Sequence, residues 1–341
     1  MNKRENELLD HFGRPLRDLR ISVMDRCNFR CPYCMPEEAP EPDLNFLESP
    51  NRLRFAEIIR LTSIFANLGV HKLRITGGEP LLRKNLYELV AGLSELPGIN
   101  DVALTTNASL LERYAESLGQ AGLGRVTVSL DSLDPKVFQL MTGHRGSVEL
   151  VLAGIEAALA AGLTPIKINV VVQRGANDHT LLELLEYFRG TEIIVRLIEY
   201  MDVGNLNHWK PENTVSSVDL LELISNKWLL EPVEENYHGE VAQRWAYADG
   251  QGEIGLISSV SEPFCGSCTR ARLSSDGVLY NCLFATQGLD LRSPMREGAS
   301  DDELADMISE AWRIRRDRYS EVRNQASVAR SNKVEMYYIG G

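Results

Sequence analysis

The feature that most constrains this chain is a set of three cysteines, Cys27, Cys31 and Cys34, spaced C-x3-C-x2-C directly after a short apolar run. That run, residues 19–24, predicts a β-strand, so the thiols should lie in the loop at its carboxyl end. Three thiolates in one short loop can bind three irons of a four-iron cluster, for which proteins ordinarily supply four cysteines. The fourth iron is then open to a ligand, as in metal centres that do chemistry.

A structural zinc knot is the alternative for a loop of this kind. Zinc prefers four ligands, so a further Cys or His should stand nearby. The nearest histidines are His11 and His71, and neither stands at a spacing typical of zinc fingers. The uneven spacing of the three thiols therefore favours an iron–sulfur cluster with an open iron, and zinc remains the alternative.

The chain has six cysteines, and they fall into two sets of three. The second set is Cys265, Cys268 and Cys282, spaced C-x2-C-x13-C. No apolar secretion segment opens the sequence, so we expect the thiols to stay reduced, which favours metal binding over disulfides. Taken alone, this spacing is typical of structural zinc with an unidentified fourth ligand. A second cluster, whose open iron binds a nitrogen or oxygen of a substrate, is the alternative.

Two arginines stand between the thiols of this second set. Arg270 and Arg272 are two residues apart, so on an extended segment both guanidiniums point the same way. Paired guanidinium forks beside a metal cluster suit a polyphosphate or a guanine edge, although contacts at the surface rim are the alternative. Asp276 and Gly277 then predict a hairpin turn, which brings Cys282 back toward the other two thiols.

The charge balance limits the partners of the protein. The chain has 36 basic and 48 acidic residues, a net charge of −12, and 44% of its residues are hydrophobic. An acidic surface repels nucleic acid and anionic membranes, and no apolar stretch reaches the length of a membrane span. We therefore expect a globular protein with no nucleic acid and no membrane partner, in which a local basic cluster binds any anionic ligand.

From residue 19 the sequence alternates between short β-rich runs and longer helical patterns, which predicts an α/β fold with a parallel sheet. The predicted strands are 19–24, 71–76, 101–105, 125–130, 166–172 and 192–198. The predicted helices between them are 54–68, 85–96, 110–121, 147–161 and 179–189. Successive βα units indicate a partial (βα)6 barrel. An open, doubly wound sheet is the alternative, because periodicity cannot distinguish closure.

Several predicted strands carry polar side chains on one face, although strands covered on both faces are ordinarily apolar. These positions are Arg20, Ser22, Lys72, Arg74, Thr76, Arg125, Thr127, Ser129, Asp131, Lys167 and Asn169. Side chains two residues apart share a face of a strand. The pattern therefore predicts a barrel with a wet, basic interior, and an exposed sheet face is the alternative.

The βα rhythm breaks after Tyr200. Residues 215–228 predict a helix, and residues 244–259 predict a hairpin-like β region. We therefore divide the chain into a barrel, residues 1–200, that holds the first cluster, and a carboxy-terminal portion, residues 201–341. This portion holds the second thiol set, ends in Gly340 and Gly341, and is expected to lie across the mouth of the barrel.

The first thiol motif resembles that of the radical S-adenosylmethionine (SAM) enzymes. The wider run at residues 20–36, RISVMDRCNFRCPYCMP, is similar to one branch of them, the GTP 3′,8-cyclases of molybdenum-cofactor biosynthesis. The second motif, C-x2-C-x-R-x-R-L-x-x-D-G-x-L-x-x-C-L, matches the carboxy-terminal cluster motif of the same family. The resemblance extends over nearly the whole chain, with small departures at Met24 and Thr269, where the family often has Thr and Asn.

The resemblance implies a cytoplasmic radical SAM lyase with two [4Fe-4S] clusters and SAM as its cofactors. Reductive cleavage of SAM would give a 5′-deoxyadenosyl radical that abstracts the 3′-hydrogen of GTP. Attack on C8 of guanine would then form 3′,8-cyclo-7,8-dihydro-GTP, in the first step of molybdopterin biosynthesis. The implied partners are a one-electron reductant such as flavodoxin or ferredoxin, cyclic pyranopterin monophosphate synthase downstream, and a second copy of the chain in a homodimer.

The resemblance also assigns residues to each ligand. The metal ligands would be Cys27, Cys31 and Cys34 for the first cluster and Cys265, Cys268 and Cys282 for the second. The SAM-binding residues would be Tyr33, Gly78, Ser129 and Met201. The GTP-binding residues would be Arg20, Arg74, Thr105, Lys167, Arg270, Ala271 and Arg272, with Lys72 as an addition. The expected catalytic residues are Arg270, Arg272 and Arg196.

Some alternatives stay open. The segment Gly77-Gly78-Glu79-Pro80, which matches the family's SAM-binding motif, could be a plain turn. Arg196 has the opposite parity to Met201, so both face the interior only if the chain bends between them. The terminal glycines either enter the active site or fray. For the whole chain, the rival functions are another radical SAM enzyme with an auxiliary cluster and a non-enzymatic zinc-binding scaffold.

Overall fold

A computed structural model describes residues 7–36, 46–237, 239–323 and 332–340 of the chain. Its central element is one mixed β-sheet. The first six strands are β1 (Asp18–Ser22), β2 (Lys72–Thr76), β3 (Asp101–Thr106), β4 (Arg125–Ser129), β5 (Lys167–Val172) and β6 (Ile194–Glu199). The later strands are β7 (Leu230–Val233), β8 (Gln243–Tyr247), β9 (Glu253–Ile257), β10 (Arg270–Leu273), β11 (Val278–Tyr280) and β12 (Leu289–Asp290).

The order of the strands decides between the two predicted architectures. Strands β1 to β6 lie side by side in chain order, and every neighbouring pair is parallel. A doubly wound sheet would reverse its order at a switch point, and these strands do not, so barrel-type winding is confirmed. Among the described residues the outermost strands, β12 and β7, do not pair with each other, so the sheet is open at its edges.

Strands from the carboxy-terminal portion extend both flanks of this parallel centre. Strand β9 lies parallel to β6, and β10 lies parallel to β1, with Arg272 opposite Arg20. The predicted hairpins are confirmed, since β8 is antiparallel to β9 and β10 is antiparallel to β11. In the second hairpin the N–H of Gly277 donates to the carbonyl oxygen of Ser274 at 3.0 Å. The second thiol set therefore lies beside β1, the strand that leads into the first thiol set.

Helices cover the outer face of the sheet. Those of the barrel are α1 (Phe55–Asn67), α2 (Leu86–Ser94), α3 (Leu111–Gln120), α4 (Pro135–Met141), α5 (Val148–Ala160) and α6 (Leu181–Phe188). The later ones are α7 (Ser217–Ser225), α8 (Arg292–Arg296), α9 (Asp301–Arg313), α10 (Tyr319–Val322) and α11 (Met336–Ile339). In the part of the chain described here, none of them combines the length and the apolar character that crossing a bilayer requires.

The helices predicted from periodicity are confirmed, with ends within a few residues of those expected. Helix α4 was missed. It begins behind Asp134, whose carboxylate accepts the N–H groups of Lys136 and Val137, and Pro135 stands in its first turn. Its 7 residues are too few to show a helical period, so only these start signals could have revealed it.

Side chains alternate between the two faces of the parallel strands. Leu19 and Ile21 of β1, like Leu73 and Ile75 of β2, are buried in the main hydrophobic core. The polar residues between them point to the opposite, inner face, as the sequence predicted. The apolar face fixes the sheet against its helices and leaves the inner face free to form a site.

Candidate active site

The inner face of the sheet borders a chamber of about 370 Å³. All six cysteines lie on its wall, together with polar residues from β1 to β6 and from β10. Met336 and Tyr337, near the carboxyl end of the chain, complete one side. The two thiol sets therefore face one common space rather than opposite sides of the molecule.

The loop of the first thiol set is held by the segment that follows β2. The N–H groups of Gly78 and Glu79 donate to the carbonyl oxygens of Met24 at 2.6 Å and Arg26 at 2.8 Å. A Cβ on Gly77 would lie 2.2 Å from the Met24 oxygen, and one on Gly78 would lie 2.3 Å from that of Arg26. Only glycine permits this approach, so the segment fixes the cysteine loop rather than forming a plain turn.

Helix α4 and the residues after it hold the other side of the same loop. Phe29 contacts Phe138 edge to face, with ring centroids 6.1 Å apart. The N–H of Arg30 donates to the carbonyl oxygen of Thr142 at 2.9 Å, and a Cβ on Gly143 would lie 2.3 Å from the Arg30 oxygen. The helix that the sequence did not reveal is therefore part of the scaffold of the first thiol set.

Two N–H groups point at the first thiol of this set. The N–H of Phe29 lies 3.3 Å from Sγ of Cys27, and Nδ2 of Asn107 lies 3.7 Å from it. Such donors commonly surround the sulfur ligands of metal centres. Burial raises the pKa of the Cys27 thiol to about 11, and the neighbouring Glu79 adds to the rise. The free thiol is therefore neutral, and a metal would have to displace its proton.

The residues expected to bind SAM lie on the chamber wall, and they are Tyr33, Gly78, Ser129 and Met201. Tyr33 is fixed through its hydroxyl group, which donates to a carboxylate oxygen of Asp131 at 2.8 Å. The other oxygen of Asp131 accepts the N–H of Val171 at 2.8 Å. Burial raises the pKa of Asp131 to about 6. Asp131 thus ties β5 and the loop after β4 to the first cysteine loop.

The second thiol set starts in a turn, Cys265–Ser267, directly before β10. Nη2 of Arg315 donates to Sγ of Cys268 at 3.2 Å, and the N–H of Phe284 donates to Sγ of Cys282 at 3.4 Å. Burial would raise the pKa of Cys268, but Arg270 and Arg315 outweigh it and lower that pKa to about 6. Burial raises the pKa of Cys282 to about 12. Cys268 is therefore mainly a thiolate at neutral pH.

The donors of the two thiol sets fit iron–sulfur clusters. A four-iron cluster binds each thiolate to a different iron, so its ligands are spread around it. Each set offers three sulfurs on the chamber wall and N–H donors beside them. The residues present therefore fit a cluster with one iron open to the chamber.

Five of the basic residues on the chamber wall share one electrostatic feature, and they are Arg20, Arg74, Lys167, Arg196 and Arg272. Burial, followed by repulsion from neighbouring cations, lowers the pKa of each, to about 10 for Arg74 and Arg272. The pKa falls to about 9 for Arg196 and to about 8 for Lys167. Within the described part of the chain none of the five pairs with a carboxylate, whereas Arg125 pairs with Asp101. This surplus of positive charge suits an anionic ligand.

Neutral side chains orient two of these arginines. Nη1 of Arg74 donates to the hydroxyl oxygens of Thr105 at 3.1 Å and Thr127 at 2.9 Å. Nε of Arg196 donates to Oδ1 of Asn169 at 3.0 Å. Neutral partners hold the guanidiniums in place without cancelling their charge. Thr105, which is expected to bind GTP, therefore orients Arg74 through this hydrogen bond.

The remaining predicted residues are placed as follows. Lys72 and Arg270 line the chamber. Arg196 and Met201 both reach its wall despite their opposite parity, because β6 ends at Glu199 and the chain is irregular beyond it. Ala271 needs a correction. Its side chain is fully buried in the main core on the other face of β10, so only its backbone is available to a ligand.

The carboxy-terminal segment enters the chamber. The carbonyl oxygen of Gly340 accepts a hydrogen bond from Arg272, and a Cβ on Gly340 would lie 2.2 Å from Cγ2 of Thr76. Tyr337 packs in a small apolar cluster beside the first thiol set. Gly341, the second terminal glycine, lies outside the described residues. The segment thus contacts the first thiol set through Tyr337 and reaches Arg272, near the second thiol set, through Gly340.

Sequence reasoning missed several residues on the chamber wall, among them Arg14, Asn107, Tyr237 and Arg315. Asn107 follows β3 at its carboxyl end, a position where barrel enzymes place functional groups, so this signal could have found it. Nζ of Lys72 lies 3.3 Å from the ring centroid of Tyr237, a contact that no sequence pattern indicates. Arg14 and Arg315 approach the second thiol set from opposite ends of the chain.

Comparison with known proteins agrees with this geometry. Residues 21–188 match the Radical SAM superfamily, and residues 193–321 match the family described as Molybdenum Cofactor Synthesis C. The chain is 54% identical over 333 residues to a GTP 3′,8-cyclase of Xanthomonas campestris pv. campestris (strain B100), which covers 97% of each chain. It is 47% identical over 338 residues to a GTP 3′,8-cyclase of Staphylococcus carnosus (strain TM300), covering 98% of this chain and 99% of that one.

Solved structures show the same fold. SuiB from Streptococcus suis, bound to S-adenosylmethionine, superposes with a TM-score of 0.60 over 87% of this chain and 68% of its own, at 17% identity. A second crystal structure of SuiB gives a TM-score of 0.59 over 88% of this chain and 67% of its own, at 16% identity. At such low identity the likeness concerns the fold alone.

Proposed function

This chain belongs to the GTP 3′,8-cyclase family of the Radical SAM superfamily, and we propose that it converts GTP into 3′,8-cyclo-7,8-dihydro-GTP with SAM as the source of the radical. One observation carries the proposal: both three-thiol sets and a group of cations without carboxylate partners in the described residues border one chamber. The thiols suit radical chemistry, and the cations suit a triphosphate.

The first thiol set would hold the [4Fe-4S] cluster that, when bound, supplies the electron for reductive cleavage of SAM to a 5′-deoxyadenosyl radical. The part of the chain is to hold SAM in one orientation and to keep water away. We assign that role to the backbone of Tyr33 and Gly78 and to Ser129 and Met201. Because Asp131 fixes the Tyr33 hydroxyl, it would hold the cysteine loop in place while SAM binds.

The basic wall would hold GTP. We assign to it Arg20, Lys72, Arg74, Thr105, Lys167, Arg270, the backbone of Ala271, and Arg272. Guanidinium groups bind phosphates and guanine edges through two parallel hydrogen bonds. An anion bound there would raise the lowered pKa values of the basic side chains on the wall. The bound ribose would lose its 3′-hydrogen atom to the radical, which leaves as 5′-deoxyadenosine. The ribose carbon would then bond to C8 of the same guanine, and one electron from the reductant and one proton would complete the 7,8-dihydro product.

That ring closure needs the base and the sugar held in one arrangement, since a misplacement of about 1 Å can cost a hundredfold in rate. We therefore propose Arg270, Arg272 and Arg196 as the catalytic residues that fix the nucleotide. A second [4Fe-4S] cluster on Cys265, Cys268 and Cys282 would offer an open iron to a nitrogen or oxygen of the substrate.

The family also suggests the surroundings of the enzyme. We propose a cytoplasmic location, a flavodoxin or ferredoxin as electron donor, and cyclic pyranopterin monophosphate synthase as the consumer of the product. We further propose a homodimer and a functional division near residue 200, between the barrel and the carboxy-terminal portion. That portion also contributes strands to the same sheet, so the two parts are expected to fold together.

Anaerobic reconstitution tests the proposal. Protein loaded with iron and sulfide, then given dithionite, SAM and GTP, should form 5′-deoxyadenosine and a cyclised nucleotide isomeric with GTP. GTP deuterated at C3′ should transfer its deuterium into 5′-deoxyadenosine, as mass spectrometry would show. Cys31→Ala protein is the matched control and should form neither product.

The rival functions predict other outcomes of the same experiment. SAM cleavage with no change in GTP would indicate a different radical SAM enzyme and would overturn the assignment of the substrate. Stoichiometric zinc and no SAM cleavage would indicate a zinc-binding scaffold and would overturn the enzyme itself.

A further inference from the structure

A buried group of three charged residues lies behind the second thiol set. Nε of Arg14 donates to Oδ2 of Asp10 at 2.6 Å, and Nη1 of Arg315 lies 3.4 Å from the same oxygen. The exposed fractions of the three side chains are 2%, 0% and 1% for Arg14, Asp10 and Arg315. Two guanidiniums thus share one fully buried carboxylate, and the other carboxylate that pairs with Arg315 among the described residues is Asp317, whose side chain is 38% exposed.

Both guanidiniums reach the cysteines of the second set. Nη1 of Arg14 donates to the carbonyl oxygen of Cys265 at 2.7 Å. Arg315 donates twice to Cys268, to the carbonyl oxygen at 2.8 Å and to Sγ at 3.2 Å. Trp312 supports the pair, since its ring centroid lies 4.5 Å from the Arg315 guanidinium and its indole N–H donates to the Arg14 carbonyl oxygen at 3.1 Å. The arrangement is rigid and built around the thiols.

The hydrogen bonds of the two arginines are incomplete. Nη2 of Arg14 and Nε of Arg315 are buried, and neither has a hydrogen-bond partner among the described residues. Oδ2 of Asp317 lies 3.8 Å from Nε of Arg315, which is an ion-pair distance but too long for a hydrogen bond. Buried guanidinium N–H groups without acceptors are costly unless a negative group meets them. Both arginines also border the chamber at the second thiol set.

We infer that Arg14 and Arg315 are positioning residues for the second cluster, whose negative charge their guanidiniums meet. This inference rests on the second cluster of the proposed function. A four-iron cluster with three thiolates is an anion, and reduction adds a further negative charge. Positive charge and N–H donors at the sulfur therefore favour the reduced form and raise the reduction potential. They also help the set to retain its iron.

The experiment isolates the second cluster in the full-length chain. Protein with Cys27→Ala, Cys31→Ala and Cys34→Ala keeps only the second thiol set, and its iron and sulfide content and its redox titration by electron paramagnetic resonance are measured after reconstitution. Arg315→Met is then added, which removes the charge and both contacts with Cys268. Arg316→Met is the matched control, because that neighbouring arginine is exposed.

Arg315→Met is expected to shift the reduction equilibrium at least about tenfold toward the oxidised state, a potential about 59 mV lower for one electron. Arg316→Met should leave the equilibrium within about twofold of the background protein. Loss of iron from Arg315→Met, with circular dichroism equal to the control, would likewise support the inference. Equal iron content and an equal potential in Arg315→Met and Arg316→Met would overturn it.

A further variant covers the case in which Arg315→Met does not fold. Arg315→Gln removes the charge but keeps an N–H donor, so a shift in the same direction relative to Arg316→Gln is expected. An equal potential and equal iron content in Arg315→Gln and Arg316→Gln would then overturn the inference. A background protein that binds no iron would overturn the second cluster itself, which separates that failure from a failure of the arginines alone.

Discussion

The two thiol sets have the same number of ligands, but oppositely charged side chains lie near one thiol of each set. At the first, burial raises the pKa of Cys27 to about 11 and the carboxylate of Glu79 adds to the rise. At the second, burial would raise the pKa of Cys268, but Arg270 and Arg315 outweigh it and lower that pKa to about 6. The sulfur ligands are alike, so the surrounding charge makes the difference.

This difference indicates how one kind of ligand can serve two tasks in one chamber. Negative charge near a cluster disfavours the addition of an electron, which makes the reduced cluster a stronger reductant. Cleavage of a sulfonium needs such a reductant. Positive charge near a cluster has the opposite effect and suits a centre that holds an anionic nucleotide. The electrostatic comparison therefore predicts a division of labour.

Removal of one cysteine from each set should have the largest effect on activity, and it tests the difference between the two sets most strongly. Cys31→Ala is expected to abolish both SAM cleavage and GTP turnover, because the radical source is lost. Cys282→Ala is expected to abolish the cyclised product but to leave cleavage of SAM to 5′-deoxyadenosine. Both products are measured by chromatography after anaerobic reconstitution. Equal loss of SAM cleavage in the two variants would show that the sets do not divide the work.

Gly340→Ala tests the segment that joins the two regions. An added Cβ would lie 2.2 Å from Cγ2 of Thr76, at a residue with φ +76°. The displaced tail would release Arg272, and the rate of cyclisation should fall about a hundredfold, while the uncoupled formation of 5′-deoxyadenosine persists. Gly250→Ala is the matched control, since Gly250 also has φ +76° but no atom within 4 Å of the added Cβ. Similar losses in both variants would attribute the effect to backbone strain alone.

The pH dependence of GTP binding sharpens the description of the basic wall. Burial and the neighbouring Arg196 lower the pKa of Lys167 to about 8. As the pH rises above that value, Lys167 loses its charge, so the dissociation constant of GTP should rise by up to about tenfold per pH unit for this one proton. Isothermal titration between pH 7 and 8.5 measures it. In Lys167→Arg the charge persists, and the dependence should flatten; an unchanged profile would exclude Lys167 as its source.

The smallest effect is expected from the support of the first cysteine loop. Tyr33→Phe removes the hydroxyl donor to Asp131 and leaves a buried carboxylate oxygen with one partner fewer. The free energy of unfolding of the metal-free chain should fall by about 1 kcal/mol, as urea titration would measure. Tyr187→Phe, at a side chain that is 53% exposed, is the control and should change little. A loss no larger than the control's would mean that the contact with Asp131 does not stabilise the loop.

Much of the fold could be predicted because its signals are local. Each parallel strand combines an apolar outer face with a polar inner one. The alternation of residues such as Arg74 and Ile75 therefore indicates both that a strand is present and which of its faces packs on the core. The glycines of the segment after β2 and the turn at Gly277 are also local signals. The short helix α4 is the exception, because a pattern of 7 residues is too brief to count.

The parts of the site that escaped prediction depend on contacts between distant residues. Arg14 and Arg315 meet at Asp10 although they are separated by some 300 positions, and neither belongs to a periodic pattern. Ala271 was assigned to GTP by resemblance, yet alternation along β10 already places its side chain on the face opposite Arg270 and Arg272. The resemblance supplied identities of residues, whereas geometry was needed to say which atoms face the chamber.

The most direct test of this account is a redox titration of the fully reconstituted wild-type protein, without SAM or GTP, followed by electron paramagnetic resonance. The triple cysteine variants of each set identify which signal belongs to which cluster. We expect two potentials, with the first cluster lower by more than about 59 mV, the tenfold step for one electron. A second cluster whose potential equals or falls below that of the first would contradict the claim that the surrounding charges assign the two sets different roles.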